Sequence, residues 1–160
     1  MNAIKDSDTA EVLDRHSLAR EMFEEKIAFN RLLGLRILNV GNDEASIRLE
    51  MRDDFVGNYS RRILHGGVIS ATLDATAGLA AFFSMLDGLE HETSEQTMAK
   101  FARVGTIDMR VDYLLPGRGK YFIASARILR KGSRVAVIHT EMHDQNRDMI
   151  ASGTCTYMVG

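Results

Sequence analysis

Apolar and polar positions change their period along this 160-residue chain, and each change marks an element. Strict alternation, the period of a half-buried strand, runs through Ala45, Ile47, Leu49 and Met51 against Ser46, Arg48 and Glu50. It returns at Ile107, Met109, Val111, Tyr113 and Leu115 against Asp108, Arg110 and Asp112. The pattern predicts strands over 35–40, 44–52, 106–115, 120–130, 134–143 and 148–159. Gly41-Asn42-Asp43, Pro116-Gly117-Arg118-Gly119, Lys131-Gly132-Ser133 and 144–147 read as turns. Short turns between consecutive strands imply antiparallel pairing. Over 9–33 the spacing becomes helical, in one or two pieces. Val12, Leu13, Met22, Phe23, Ile27 and Leu33 form its stripe, and Gly34 ends it. Residues 1–8 read as frayed. Residues 53–64 read as a polar loop, and 87–105 as a polar connection with a short helix at 95–103.

Between these elements lies a segment with no period at all. From Gly66 to Leu86 the only ionisable side chain is Asp74. A helix of that composition is expected to be buried almost all round. A carboxylate inside it is costly unless it is paired, hydrogen-bonded or kept for chemistry. At about 100° per residue, Gly67, Ala71, Asp74 and Gly78 share one narrow face, open to a strand or a flat ligand. The helix begins at His65-Gly66-Gly67, where unpaired backbone N–H groups favour an oxygen carrying negative charge. One long buried helix against about six antiparallel strands gives an α+β domain, with the sheet wrapped round the helix. A division at 34 separates an N-terminal helical extension (1–33) from the main domain (34–160).

Composition narrows the function classes. Net charge is -2, which gives no general attraction to nucleic acid or anionic membrane. The single cysteine, Cys155, sits in a strand pattern and cannot form an internal disulfide, which fits a reducing cytoplasm. The polar, mixed-charge start of the chain is not expected to act as a signal peptide. Residues 68–86 have the length of a membrane span, but an aspartate at the middle costs about 2.5–3.5 kcal/mol on insertion scales. A soluble core helix is the expectation. His139, Glu141 and His143 share a strand face, but no Cys/His cluster supports them, so no metal is expected. No serine nucleophile elbow, phosphate-cradling glycine loop or nucleic-acid signature is present.

The order of elements, with His65-Gly66-Gly67 at the helix start and an acid nine positions after His65, resembles the hotdog-fold acyl-CoA thioesterases of the phenylacetate-pathway (PaaI-type) branch. Three further patterns agree: Gly57-Asn58 upstream, the run 106–116 after the helix, and Arg130-Lys131-Gly132-Ser133-Arg134. The resemblance spans about 34–157 and implies an acyl-CoA thioesterase; a pocket lined by the apolar residues Leu79, Phe82, Phe83, Met85 and Met98 would favour medium- to long-chain substrates. The resemblance implies that Asp74 is the catalytic carboxylate and that the Gly66 N–H polarises the thioester carbonyl. His65 and Asn58 would shape the site, with Gly67 and Thr106 touching substrate. The 130–134 turn would lie near the coenzyme's phosphates. The resemblance also implies a homodimer or tetramer with its active site between subunits, and no cofactor. Two departures stand out. Asn58 precedes His65 by seven residues where several relatives have six. Gly78 stands where many carry a hydroxyl, so a second polar group must come from Thr76, Thr106 or a partner subunit.

Thioester hydrolysis places negative charge on the carbonyl oxygen. A well-placed backbone N–H stabilises it by about 3–4 kcal/mol. The carboxylate then activates water or attacks directly. Leu79, Phe82, Phe83, Met85 and Met98 are candidates for an acyl pocket, and core packing explains them equally well. Two rival readings remain on the same fold. One is a non-catalytic acyl-CoA-binding or sensing module. The other is a hydratase or dehydratase acting on the acyl chain.

Overall fold

The computed structural model describes residues 15–86 and 94–160. The expected fraying of 1–8, the start of the N-terminal helix with Val12 and Leu13, and His91 lie outside the described residues.

The N-terminal segment forms α1 (Arg15–Ala19), a π-helical stretch (Arg20–Lys26) and α2 (Ala28–Leu33). Of the one or two helical pieces expected, the structure has the break, made by Ile27, which is extended at ψ 107°. Gly34 ends α2 at φ +70°, where a residue without Cβ is least strained. Glu24 joins this segment to the sheet. Its carboxylate accepts the Ile37 N–H at 2.6 Å and pairs with Arg36 at 2.9 Å.

Strands β1 (Arg36–Val40), β2 (Glu44–Glu50), β5 (Gly105–Tyr113), β6 (Tyr121–Lys131), β7 (Val135–Asp144) and β8 (Met149–Met158) form one antiparallel sheet in the order β1-β2-β6-β7-β8-β5. Residues 53–64, expected as a plain loop, carry a 3-10 turn (Asp53–Phe55) and a small hairpin of β3 (Val56–Asn58) and β4 (Ile63–Leu64). The long helix α3 (Gly66–Ser84) follows, then α4 (Ser94–Phe101). Among the described residues α3 is the one helix long and apolar enough to cross a membrane, yet it packs against β6, β7 and β2 inside the sheet's curve.

The wrapping follows from side-chain size. Ala45, Ala126, Thr140 and Gly153 lie side by side across four strands, making a shallow floor beneath the helix. On α3, which packs against these strands, Ala77, Ala80 and Ala81 are all fully buried. Over the far half of α3, Phe82 packs edge-on against Phe101 at 5.3 Å and lies 6.2 Å from Phe23. The π-helical stretch and α4 therefore close the same core.

The expectation of a helix buried all round holds for only half of α3. From Thr76 to Ser84 every residue is buried. Before that, Gly67 is exposed and Ser70, Ala71, Asp74 and Ala75 are half-buried. The sheet stops at its edge strand β5, which leaves this face of the helix uncovered. Asp74 is accordingly a half-buried carboxylate, not a fully buried one.

One strand departs from simple alternation. In β5, Thr106 pairs with Tyr157 and Asp108 with Thr156, so Ile107 is an extra residue, a β-bulge. Ile107, expected on the inner face, is turned out and 52% exposed. Thr106 is turned in.

Candidate active site

Three elements meet at Asp74, and each contributes one atom. The Thr106 hydroxyl donates to Asp74 Oδ1 at 2.9 Å. The Tyr157 hydroxyl lies 2.6 Å from the same oxygen and 2.6 Å from the Asp74 carbonyl, so its single proton serves one or the other. Asp74 Oδ2 has no hydrogen-bond partner among the described residues. One carboxylate oxygen is thus held, while the other is left to act on water or a carbonyl carbon.

Tyr157 was legible in the sequence only as an alternating core position. It is 3% exposed, and a buried phenol needs a partner for its hydroxyl. Burial, followed by the hydrogen bond and negative charge of Asp74, pushes its pKa well above the ordinary tyrosine value. It therefore remains a neutral hydrogen-bond donor. Gly78 makes room for its ring, since a Cβ there would stand 3.3 Å from the Tyr157 ring and hydroxyl. The small face of α3 is thus filled by a strand side chain at Gly78 and open from Asp74 to Gly67.

Of the two hydroxyls in this chain offered as a second polar group, Thr106 is the one that reaches Asp74. Thr76 is satisfied within the helix, donating to Thr72 O at 2.7 Å.

At the start of α3, His65 is the N-cap, with Nδ1 accepting the Gly67 N–H at 2.8 Å. In the neutral ring this places the proton on Nε2. The His65 carbonyl takes the N–H groups of Val68 and Ile69. Gly66 N–H alone in this turn has no partner among the described residues. Tyr113, which the sequence reading did not single out, reaches from β5 and donates to Gly66 O at 3.1 Å, in the peptide that follows this N–H. Gly57 lets β3 approach closely, as a Cβ there would lie 2.7 Å from His65 Cα. Asn58, on the same hairpin, is exposed, and its side-chain oxygen accepts the N–H groups of Ser60 and Arg61 at 3.1 Å. Within this chain Asn58 shapes the hairpin beside His65.

The basic turn lies elsewhere. Arg130 and Lys131, which end β6, and Gly132, Ser133 and Arg134, which lead to β7, are all exposed. Lys131 Nζ donates to the Ser84 carbonyl at the C-terminal end of α3. That carbonyl lies about 15 Å along the helix from Asp74. The expected acyl-pocket residues of α3 line no opening, because Leu79, Phe82 and Phe83 have no exposed area. His139 and Glu141 are 3.1 Å apart on the outer face of the sheet. Among the described residues no group of three side chains could hold a metal ion.

Comparison with known proteins bears on this geometry. Residues 62–151 match the family model described as Thioesterase superfamily. The chain is 43% identical over 143 residues to the medium/long-chain acyl-CoA thioesterase YigI of Escherichia coli K12, covering 89% of this chain and 92% of that protein. A crystal structure from Shewanella oneidensis related to the thioesterase superfamily superposes with a TM-score of 0.84 at 39% identity, covering 91% of this chain and 95% of that one. Zebra fish Thioesterase Superfamily Member 2 shares the fold at a TM-score of 0.72 and 18% identity, covering 92% of this chain and 99% of that one.

Proposed function

The chain belongs to the thioesterase superfamily, and from that premise we propose that it hydrolyses medium- to long-chain acyl-CoA to free acid and CoA, with Asp74 and the Gly66 N–H as its two working groups. The observation that carries this reading is the pairing of a half-free carboxylate with one unpaired helix N-terminal N–H on the same open face.

The N–H accepts the charge that develops on the thioester oxygen. Asp74 Oδ2 directs water at the carbonyl carbon or attacks it. Thr106 and Tyr157 hold Oδ1 and so orient the carboxylate. His65 keeps the Gly67 N–H occupied, which leaves Gly66 as the donor.

Distance argues that two chains share each site. Gly66 and Asp74 are eight residues apart on one helix, about 12 Å along its axis. A donor within about 3 Å of the oxygen and a carboxylate within reach of the carbon cannot be that far apart. A homodimer in which Gly66 of one chain faces Asp74 of the other removes the difficulty. Edge strand β5 suits such an interface: its outer edge is unpaired in the sheet, and Ile107, Tyr113, Leu114 and Leu115 are each half exposed. In the same reading the 130–134 turn offers its cations to the coenzyme's phosphates, and the enzyme works in the cytoplasm without a cofactor.

Free-thiol release from a panel of acyl-CoA esters, with Asp74→Ala alongside, tests the reading. Turnover that the variant loses supports it. Tight binding of an ester with no thiol released would replace it with a sensing module.

A further inference from the structure

We propose that the groove between α2 and the first turn of α3 is the acyl-chain subsite, and that Phe29 and Leu32 set the chain length it accepts. The inference rests on the thioesterase reading above. The groove encloses about 380 Å³, walled by Phe29, Leu32, Phe55 and Val68. That volume falls in the range of small-molecule sites. His65 and Gly67 also line it, so its inner end adjoins Gly66. A thioester with its carbonyl oxygen on the Gly66 N–H has its alkyl chain beside this opening.

The exposure of the wall argues for a hydrocarbon occupant. Phe29 is 55% and Leu32 66% exposed, although both lie on a six-residue helix whose Leu33 is buried. Two large apolar side chains left open toward one groove gain most from covering by an apolar chain. Two charged side chains also line the groove: Asp54 is exposed to solvent, and the cation, Arg52, is already engaged. The Arg52 guanidinium lies 4.1 Å over the Phe55 ring and donates to the Leu32 carbonyl. It pins the end of α2 to the 3-10 turn, so Phe29 and Leu32 stand on a fixed wall. The buried phenylalanines of α3 offer no comparable space.

Each methylene seated in such a groove is worth about fourfold in kcat/KM. Leu32→Trp narrows the groove and Phe29→Ala widens it. Both positions are exposed, so both variants fold. The expected result is a fall of at least about tenfold in the palmitoyl-to-butyryl ratio of kcat/KM for Leu32→Trp, and a shift toward longer chains for Phe29→Ala. An unchanged ratio, or an equal loss on every ester, overturns the assignment. A change in sedimentation with the ratio unmoved also overturns it, making the groove a contact between copies of this chain. Should the wild-type protein release no thiol from any ester, the hydrolase reading fails separately. Calorimetric Kd values over the same panel then decide the groove: a length dependence flattened by Leu32→Trp keeps it, and none in either protein removes it.

Discussion

The Thr106 hydroxyl donates to Asp74 Oδ1 at 2.9 Å only because one extra residue, Ile107, turns the start of β5 over. In an unbulged strand Thr106 would face outward with Asp108. A hydrogen bond to a carboxylate is worth about 1.5–3 kcal/mol when buried and less where water competes. Thr106→Val should therefore lower kcat about tenfold with little change in KM, and Thr106→Ser should restore most of it. A loss confined to KM would assign Thr106 to substrate binding instead.

Asp74→Asn keeps the size of the side chain and removes its charge. Turnover should fall at least about a hundredfold, the usual contribution of a positioned acid–base group. Circular dichroism and the melting temperature should stay near wild type. Near-wild-type thiol release from a folded Asp74→Asn would remove Asp74 from the mechanism.

Gly66 can be tested through its N–H. It is the first helical position, where proline is well tolerated, and His65 before it is already extended at ψ 134°. A Cβ at this position would stand 3.3 Å from the ring of Tyr113, which is exposed and free to give way, so Gly66→Pro should fold and lose about a hundredfold or more in kcat. Mixed and refolded with Asp74→Asn, it should regain about a quarter of wild-type turnover, since half the dimers then carry one intact site of two. No recovery on mixing would place both groups within one chain.

Gly78→Ala gains helix propensity but sets a Cβ 3.3 Å from the Tyr157 ring and hydroxyl. The ring is buried, so it must shift away from Asp74. We expect kcat to fall about as far as in Tyr157→Phe, with thermal stability little changed. Full activity with an unshifted Tyr157 in a crystal structure of the variant would show that the core gives elsewhere.

Burial pushes the Cys155 thiol from its ordinary value near 9 up to about 11. The folded thiol keeps its proton where the unfolded one has lost it. Stability is thus fully present below pH 9 and declines as pH rises toward about 11, by about 2–3 kcal/mol. Tyr157, also raised, adds to the decline above its ordinary value. Urea unfolding at several pH values should show this slope, and Cys155→Ala should flatten its lower part. An unaltered slope would assign the alkaline loss to other groups.

The strands were legible because period is a local property, and the core helix because its composition is apolar with one lone charge. Alternation at Ala45, Ile47 and Leu49 named the buried face correctly. The bulge was not legible, because Thr106-Ile107-Asp108 alternates like its neighbours and only pairing with β8 shows the extra residue. The aspartate stood out as a lone charge, whereas Tyr157 did not, since a tyrosine in a core strand is ordinary until its hydroxyl is placed. The acyl groove escaped for a related reason. It is built between α2 and α3, elements far apart in the chain, while the large side chains along α3 itself drew attention to its packed end.

The two ends of α3 are finished differently. At Ser84 a lysine ammonium sits on a terminal carbonyl, cancelling the negative pole of the helix. At the other end the His65 ring takes the Gly67 N–H, but among the described residues no charged side chain meets the Gly66 N–H. The peptide dipoles therefore act as a battery with one terminal grounded, and their potential is expressed where an oxyanion would form.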